Sequence, residues 1–102
     1  MKKVTLYIGL NDKDTKQQKI ETMEAFKIVS NLVTVFADGG TIYSATGIYK
    51  HESGEIVIEN TLRVELIEIA ESALEELIKA LKAVLNQESI IVQRETVNTE
   101  IA

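Results

Sequence analysis

The chain has 102 residues, enough for one domain with one hydrophobic core. Hydrophobic residues make up 45% of it and charged residues 26%, which excludes a disordered or fibrous chain, and the lack of cysteine excludes disulfides, iron–sulfur clusters and thiolate zinc sites. The net charge of −5 is uneven: residues 1–51 carry seven Lys or Arg against five Asp or Glu, a balance of +2, whereas residues 52–102 carry four against eleven, a balance of −7.

An acidic chain without a basic stripe is a poor binder of nucleic acid, which needs clustered Lys and Arg against phosphate. The one basic cluster, Lys13, Lys16 and Lys19, is interrupted by Asp14 and reads as the solvated start of a helix. The N-terminus opens like a signal peptide, but its apolar positions alternate and no small-residue cleavage site follows. No stretch approaches the roughly 20 apolar residues of a membrane span. The expectation is a cytoplasmic protein without a membrane partner.

In chain order, Val4, Leu6, Ile8 and Leu10 alternate with Thr5, Tyr7 and Gly9, the period of a half-buried strand. Asn11-Asp12-Lys13-Asp14 is a polar loop. Thr15 and Gln18 have capping-box spacing and predict a helix from about residue 16. Ile20, Met23, Phe26, Val29, Val33 and Phe36 form its apolar stripe, widened by Ala25, Ile28 and Leu32. Asp38-Gly39-Gly40 ends it, with glycine supplying the left-handed cap.

Thr41 to Lys50 reads as a second strand and His51-Glu52-Ser53-Gly54 as a turn. A third strand runs from Glu55 to about Ile69, with Ile56, Ile58, Leu62, Val64 and Leu66 as its buried set. Ser72 and Glu75 form a second capping box before a helix with Leu74, Leu77, Ile78, Leu81, Val84 and Leu85 inward, and Asn86 as its C-cap. Ser89 to Thr96 is a fourth strand, and 98–102 a frayed tail.

The order β-α-β-β-α-β with right-handed crossovers predicts one α+β domain over 1–102, a ferredoxin-like sandwich with a four-stranded antiparallel sheet and both helices on one face. The other face stays open. Tyr7, Glu59 and Arg63 line it, with either Tyr43, Ala45, Gly47 and Tyr49 or Ile42, Ser44, Thr46 and Ile48 from strand two. A partly apolar open face is usually covered, most often by a second copy, so a homodimer or higher oligomer is expected.

Chemistry-bearing constellations are sparse. His51 is the only histidine, so a zinc site would rest on carboxylates almost alone. The Asn11–Asp14 run lacks the glycine and distal glutamate of a calcium loop. No serine lies in a Gly-x-Ser-x-Gly elbow, and the chain has no proline for tautomerase chemistry. Gly39-Gly40 is followed by no Lys-Ser/Thr and no helix, so it is not a phosphate loop. Glu59, Glu65 and Glu68 bring carboxylates to strand three, where Arg63 two residues before Glu65 reads as an ion pair. No cofactor is expected. Tyr7, Tyr49, Arg63 and Gln87 converge toward one end of the open sheet, and with Glu59 they form the candidate site for a ligand or partner.

Leu6-Tyr7-Ile8-Gly9-Leu10, Phe36-Ala37-Asp38-Gly39-Gly40-Thr41-Ile42, Gly47-Ile48-Tyr49, Gly54 and Gln87-Glu88-Ser89-Ile90 together resemble a family of small bacterial and phage proteins described as a domain of unknown function. The resemblance spans about Leu6 to Arg94 and implies a ferredoxin-like domain without an assigned activity. Many bacterial members carry an export signal; the bare acidic chain here is closer in form to a phage protein. The expected function is a non-catalytic dimeric module recognising a protein or small ligand, such as a phage-encoded inhibitor or sponge acting against bacterial defence. Its acidic half would face a basic surface on a host protein. The alternatives are a small cofactor-free dimeric enzyme of oxygenase or isomerase type, and a structural subunit of an assembly.

Overall fold

A computed structural model describes all 102 residues. The elements are β1 (Lys2–Gly9), α1 (Thr22–Ala37), β2 (Thr41–Lys50), β3 (Ile56–Ile67), α2 (Glu71–Val84) and β4 (Ile91–Thr96). The four strands form one antiparallel sheet in the order β2-β3-β1-β4. This is the β-α-β-β-α-β arrangement of the ferredoxin-like sandwich. No helix is long and apolar enough to cross a membrane.

The core follows from strand alternation. Val4, Leu6 and Ile8 on β1 pair with Leu66, Val64 and Leu62 on β3, and all six are buried. Ala25, Val29 and Val33 of α1 and Leu74, Leu77 and Leu81 of α2 close over them in one cluster. Each fully buried Leu, Ile or Val contributes about 1.5–3 kcal/mol, so these few positions carry the fold.

Helix α1 begins at Thr22 rather than near residue 16. The reason is local competition for backbone groups. Asp12 Oδ2 accepts the N–H groups of Asp14 and Thr15, and the Thr15 hydroxyl bonds within its own turn to Gln17. Lys16 then takes a left-handed conformation, φ 63°, which no helix continues through. The basic cluster is therefore not a helix start: Lys13 and Lys16 sit on a folded loop. Gln18 forms no capping box; its amide donates to Ile20 O and Thr22 Oγ1. The second capping box is also unformed, because α2 starts at Glu71 and leaves Ser72 inside the helix.

Three further details differ. Asp38, not a glycine, adopts the left-handed cap of α1 at φ 61°. Leu85 caps α2, and Asn86 follows it at φ 50°. On α1, Met23 is exposed and Phe26 borders on exposure, because the buried stripe runs through Ala25, Val29 and Val33. Val84 is likewise half exposed on α2.

The largest departure is in the β2–β3 hairpin. Ile56 and Ile58 are 62% and 64% exposed, and Ile48 is 69% exposed. The hairpin outruns the helices, so the helix-side face of its outer half has nothing packed on it. Alternation is right, but burial stops where the helices stop.

Candidate functional site

The register settles which strand-two set lies on the open face. Tyr43 is opposite Arg63, Ala45 opposite Thr61, Gly47 opposite Glu59 and Tyr49 opposite Val57. Tyr7 and Gly9 of β1 lie opposite Arg63 and Thr61 from the other side. The open face is thus a set of rows crossing the strands. One row is Tyr7–Arg63–Tyr43. The next is Gly9–Thr61–Ala45. Then come Glu59–Gly47 and Val57–Tyr49. Rows on one face repeat every two residues, so Tyr43 and Tyr49 stand roughly 20 Å apart along β2.

The middle rows are low because their side chains are small. A cleft of about 1110 Å³ takes in these rows and extends to Thr46, Ile48, Ile56 and Ile58 of the hairpin's other face. Its floor includes Gly9, Ala45, Gly47, Thr61 and Glu59, and Tyr7 and Tyr49 also line it. Asn11, Asp12, Lys13 and Lys16 of the β1–α1 loop and Gln87, Glu88 and Ser89 of the α2–β4 turn complete the wall.

The Glu59 carboxylate is held in place. Its Oε2 accepts the Asn11 N–H at 3.0 Å, and it lies over Gly9 so closely that a Cβ there would fall 2.4 Å from Oε1. Gly47, beside it, has room only for a hydrogen: a Cβ would fall 2.8 Å from Thr61 Oγ1. Burial, and then the Glu59 charge, push the Tyr49 phenol above its ordinary pKa, so it stays protonated as a donor. The His51 ring meets Tyr49 edge-on, with centroids 5.5 Å apart.

Tyr7, Tyr49, Glu59 and Gln87 all line the cleft, whereas Arg63 does not. The Arg63 guanidinium is flanked by the Tyr7 and Tyr43 rings, at 5.7 and 5.4 Å, and pairs with Glu65 at 3.1 Å. Glu65 also pairs with Lys3 at 2.7 Å and accepts the Tyr43 hydroxyl at 2.6 Å. The bond from Lys3, then that from Tyr43, hold the Glu65 carboxyl below its ordinary pKa, and the same contacts raise Lys3 and Tyr43. Arg63 therefore belongs to an ion network beside the cleft.

Gln87 lines the cleft with its side chain turned to a structural task. Its amide donates to Asn11 O at 2.9 Å and Leu85 O at 3.3 Å, tying the two loops of the wall together. Asn86 does the same one residue earlier, donating to Asp12 Oδ1 at 2.7 Å and Asp14 Oδ2 at 2.9 Å. That amide, with the Thr15 N–H, lowers Asp12 to a pKa of about 2. Sequence reasoning missed Gly9, Asn11, Lys13, Lys16 and Gly47 as parts of one site. A glycine inside each of two strands was the available signal, since such glycines mark close approach. No three His, Asp or Glu side chains converge as a metal-binding cluster.

Among solved structures, a phage SAM lyase in complex with S-methyl-5′-thioadenosine is similar over 92% of this chain and 79% of its own, at 20% identity and a TM-score of 0.66. The divalent cation tolerance protein CutA1 of Thermus thermophilus is similar over 99% and 88%, at 17% identity and a TM-score of 0.66. The PII-like protein CutA of Nostoc sp. PCC 7120 is similar over 96% and 82%, at 15% identity and a TM-score of 0.58. At these identities the likeness is one of fold. No curated protein matches the sequence at a significant level. A family model does match, over residues 3–100, and the chain belongs to that family, the proteins of unknown function DUF3574.

Proposed function

We propose that the protein is a small-ligand-binding module whose site is the cleft over Gly9, Gly47 and Glu59. The observation that carries the reading is Glu59. A carboxylate anchored through one oxygen by the Asn11 N–H, between two tyrosines and above glycines that leave the floor low, is arranged to accept hydrogen bonds from a ligand lying flat on the sheet. A planar ring bearing hydroxyl or amino donors fits this chemistry, as in a nucleoside. The likeness to a phage lyase holding S-methyl-5′-thioadenosine supports that class. Sequestering such a molecule suits a phage-encoded sponge directed at a bacterial defence signal. Isothermal titration with S-methyl-5′-thioadenosine and adenosine tests the reading. Saturable binding weakened about tenfold, roughly 1.4 kcal/mol, by Glu59→Gln supports it. Absence of binding, or an unchanged affinity in Glu59→Gln, overturns it.

A second reading is favoured by the same likeness: a lyase acting on S-adenosylmethionine with Glu59 in the cleft. Incubation with that compound and chromatography for S-methyl-5′-thioadenosine separates the two readings, since a binding module releases no product.

The module self-associates in this reading, as a homodimer or larger oligomer. The support lies in the hairpin. The centre of the open face is occupied by the Lys3–Glu65–Arg63 network, whereas Ile48, Ile56 and Ile58 form an uncovered apolar patch on the opposite face of the hairpin.

A further inference from the structure

Two residues of the cleft's loop wall, Lys13 and Lys16, are cations, set in a lining that also holds the carboxylates Asp12, Glu55, Glu59 and Glu88. Lys13 and Lys16 line the cleft and are exposed, and neither takes part in any of the protein's ion pairs. The acids beside them in the chain are engaged elsewhere. Asp12 accepts the Asp14 and Thr15 N–H groups and the Asn86 amide, and Asp14 accepts the same amide. Glu88, on the neighbouring turn, pairs with neither lysine.

The loop that bears the lysines is also fixed. The Lys13 N–H donates to Asn86 O at 3.0 Å, and the Lys16 N–H donates to Asp12 O at 2.8 Å. Asn11, two residues before Lys13, holds Glu59. Two residues span at most about 7 Å, so the Lys13 backbone stands beside the residue that anchors the carboxylate, and Lys16 lines the same cleft three residues further along the loop. A ligand that presents donors to Glu59 therefore lies in a cleft whose wall also bears two lysines free of ion pairs.

We infer that Lys13 and Lys16 receive an anionic group, phosphate or carboxylate, attached to the ligand whose donor-bearing part Glu59 accepts. The inference rests on the cleft being a ligand site and names the chemical class of the ligand. Lysine serves here as a point charge on a flexible stem, so both anions satisfy the wall. The attraction is charge-assisted and partly screened by salt.

The test uses three probes that differ only at the 5′ position: adenosine, adenosine 5′-monophosphate and adenosine 5′-carboxylic acid. Each is titrated into the wild type and into the Lys13→Gln/Lys16→Asn double variant, at low and high salt. Asparagine is chosen at position 16 because it tolerates the left-handed conformation, and amide spectra confirm that the variant is folded. The expected result is that one or both anionic probes bind about tenfold more tightly than adenosine, with the advantage reduced by salt and lost in the variant. The phosphate and carboxylate arms distinguish the two sources of charge. Equal affinities for all three probes, or an anionic advantage that survives in the variant, overturn this inference while leaving the cleft as a ligand site. If none of the three binds, both readings fall.

Discussion

The Glu59 carboxylate occupies the space that a side chain on Gly9 would need: a Cβ at Gly9 would stand 2.4 Å from Oε1 and 2.6 Å from Cδ. The neighbour is the end of a flexible side chain, so Gly9→Ala should fold, with Glu59 turned away and its bond from Asn11 lost. The expected loss of stability is about 1 kcal/mol, the worth of one hydrogen bond. Binding of S-methyl-5′-thioadenosine should fall about tenfold or more, as in Glu59→Gln. Denaturant melts and titration of the two variants check this. A Gly9→Ala protein that binds as the wild type does would show that Glu59 has no part in the cleft.

Gly40 presents the opposite case. A Cβ there would fall 2.8 Å from the Glu65 backbone oxygen and 2.7 Å from Leu66 Cδ2, beneath the turn from α1 to β2. Backbone does not swing aside as a carboxylate does. Gly40→Ala should cost about 1–3 kcal/mol, the range for overpacking, without changing ligand affinity in the folded fraction. Chemical denaturation measures it, and a cost below that of Gly9→Ala would contradict the packing at this turn.

Gln87 is buried and joins Asn11 O to Leu85 O. Gln87→Ala leaves those carbonyls without the amide and should destabilise the protein by about 1–3 kcal/mol. Gln87→Glu should be at least as harmful, because it aims a carboxylate at two carbonyl oxygens. Hydrogen exchange at Asn11 and Lys13 should rise in both variants. Unchanged exchange there would mean that the loop is held by Asn86 alone.

Where side chains alternate or recur at helical spacing, the elements were legible: Val4, Leu6 and Ile8 on β1, and Leu74, Leu77 and Leu81 on α2, follow from periodicity and lie in the core. The start of α1 was not legible. Thr15 and Gln18 have cap spacing, but Asp12 and Thr15 satisfy their own turn first, and nothing in a linear pattern ranks the two outcomes. The burial of Ile56 and Ile58 was overestimated for a different reason: alternation reports which way a side chain points, not how far the helices reach. Gln87 was legible as a residue near the cleft, but its role was hidden because its partners are carbonyls, Asn11 O being far away in sequence. Lys13 and Lys16 were hidden by the same misplaced helix start.

The Asp12 clamp makes the β1–α1 loop sensitive to acid. The Asn86 amide and the Thr15 N–H lower the Asp12 pKa from 3.8 to about 2. A carboxyl with a depressed folded pKa contributes stability that is fully present above its unfolded value. That contribution is lost as pH falls through the folded value. The loop should therefore stay closed at pH 4 and open progressively as pH falls toward 2. Amide shifts of Asp14 and Thr15 followed by NMR report it directly. A midpoint near 3.8 would mean that the clamp is not formed in solution, and Asp12→Asn should remove the transition.

Ile48 and Ile58 face one another across the outer hairpin, 69% and 64% exposed, with Ile56 beside them at 62%. Three isoleucines in one uncovered patch are costly to leave in water. Each contributes up to about 1.5–3 kcal/mol when a partner surface covers it. Within a single copy they pack on little, so charged replacements should leave the fold intact at a cost of about 1 kcal/mol. The double variant Ile48→Lys/Ile58→Lys places two like charges across the strands and should abolish self-association without unfolding the protein. Sedimentation velocity over a range of concentrations separates the outcomes. An oligomeric wild type and a monomeric, folded variant support the patch as the contact. A monomeric wild type removes the case for self-association, and an oligomer that survives both lysines places its contact on another face.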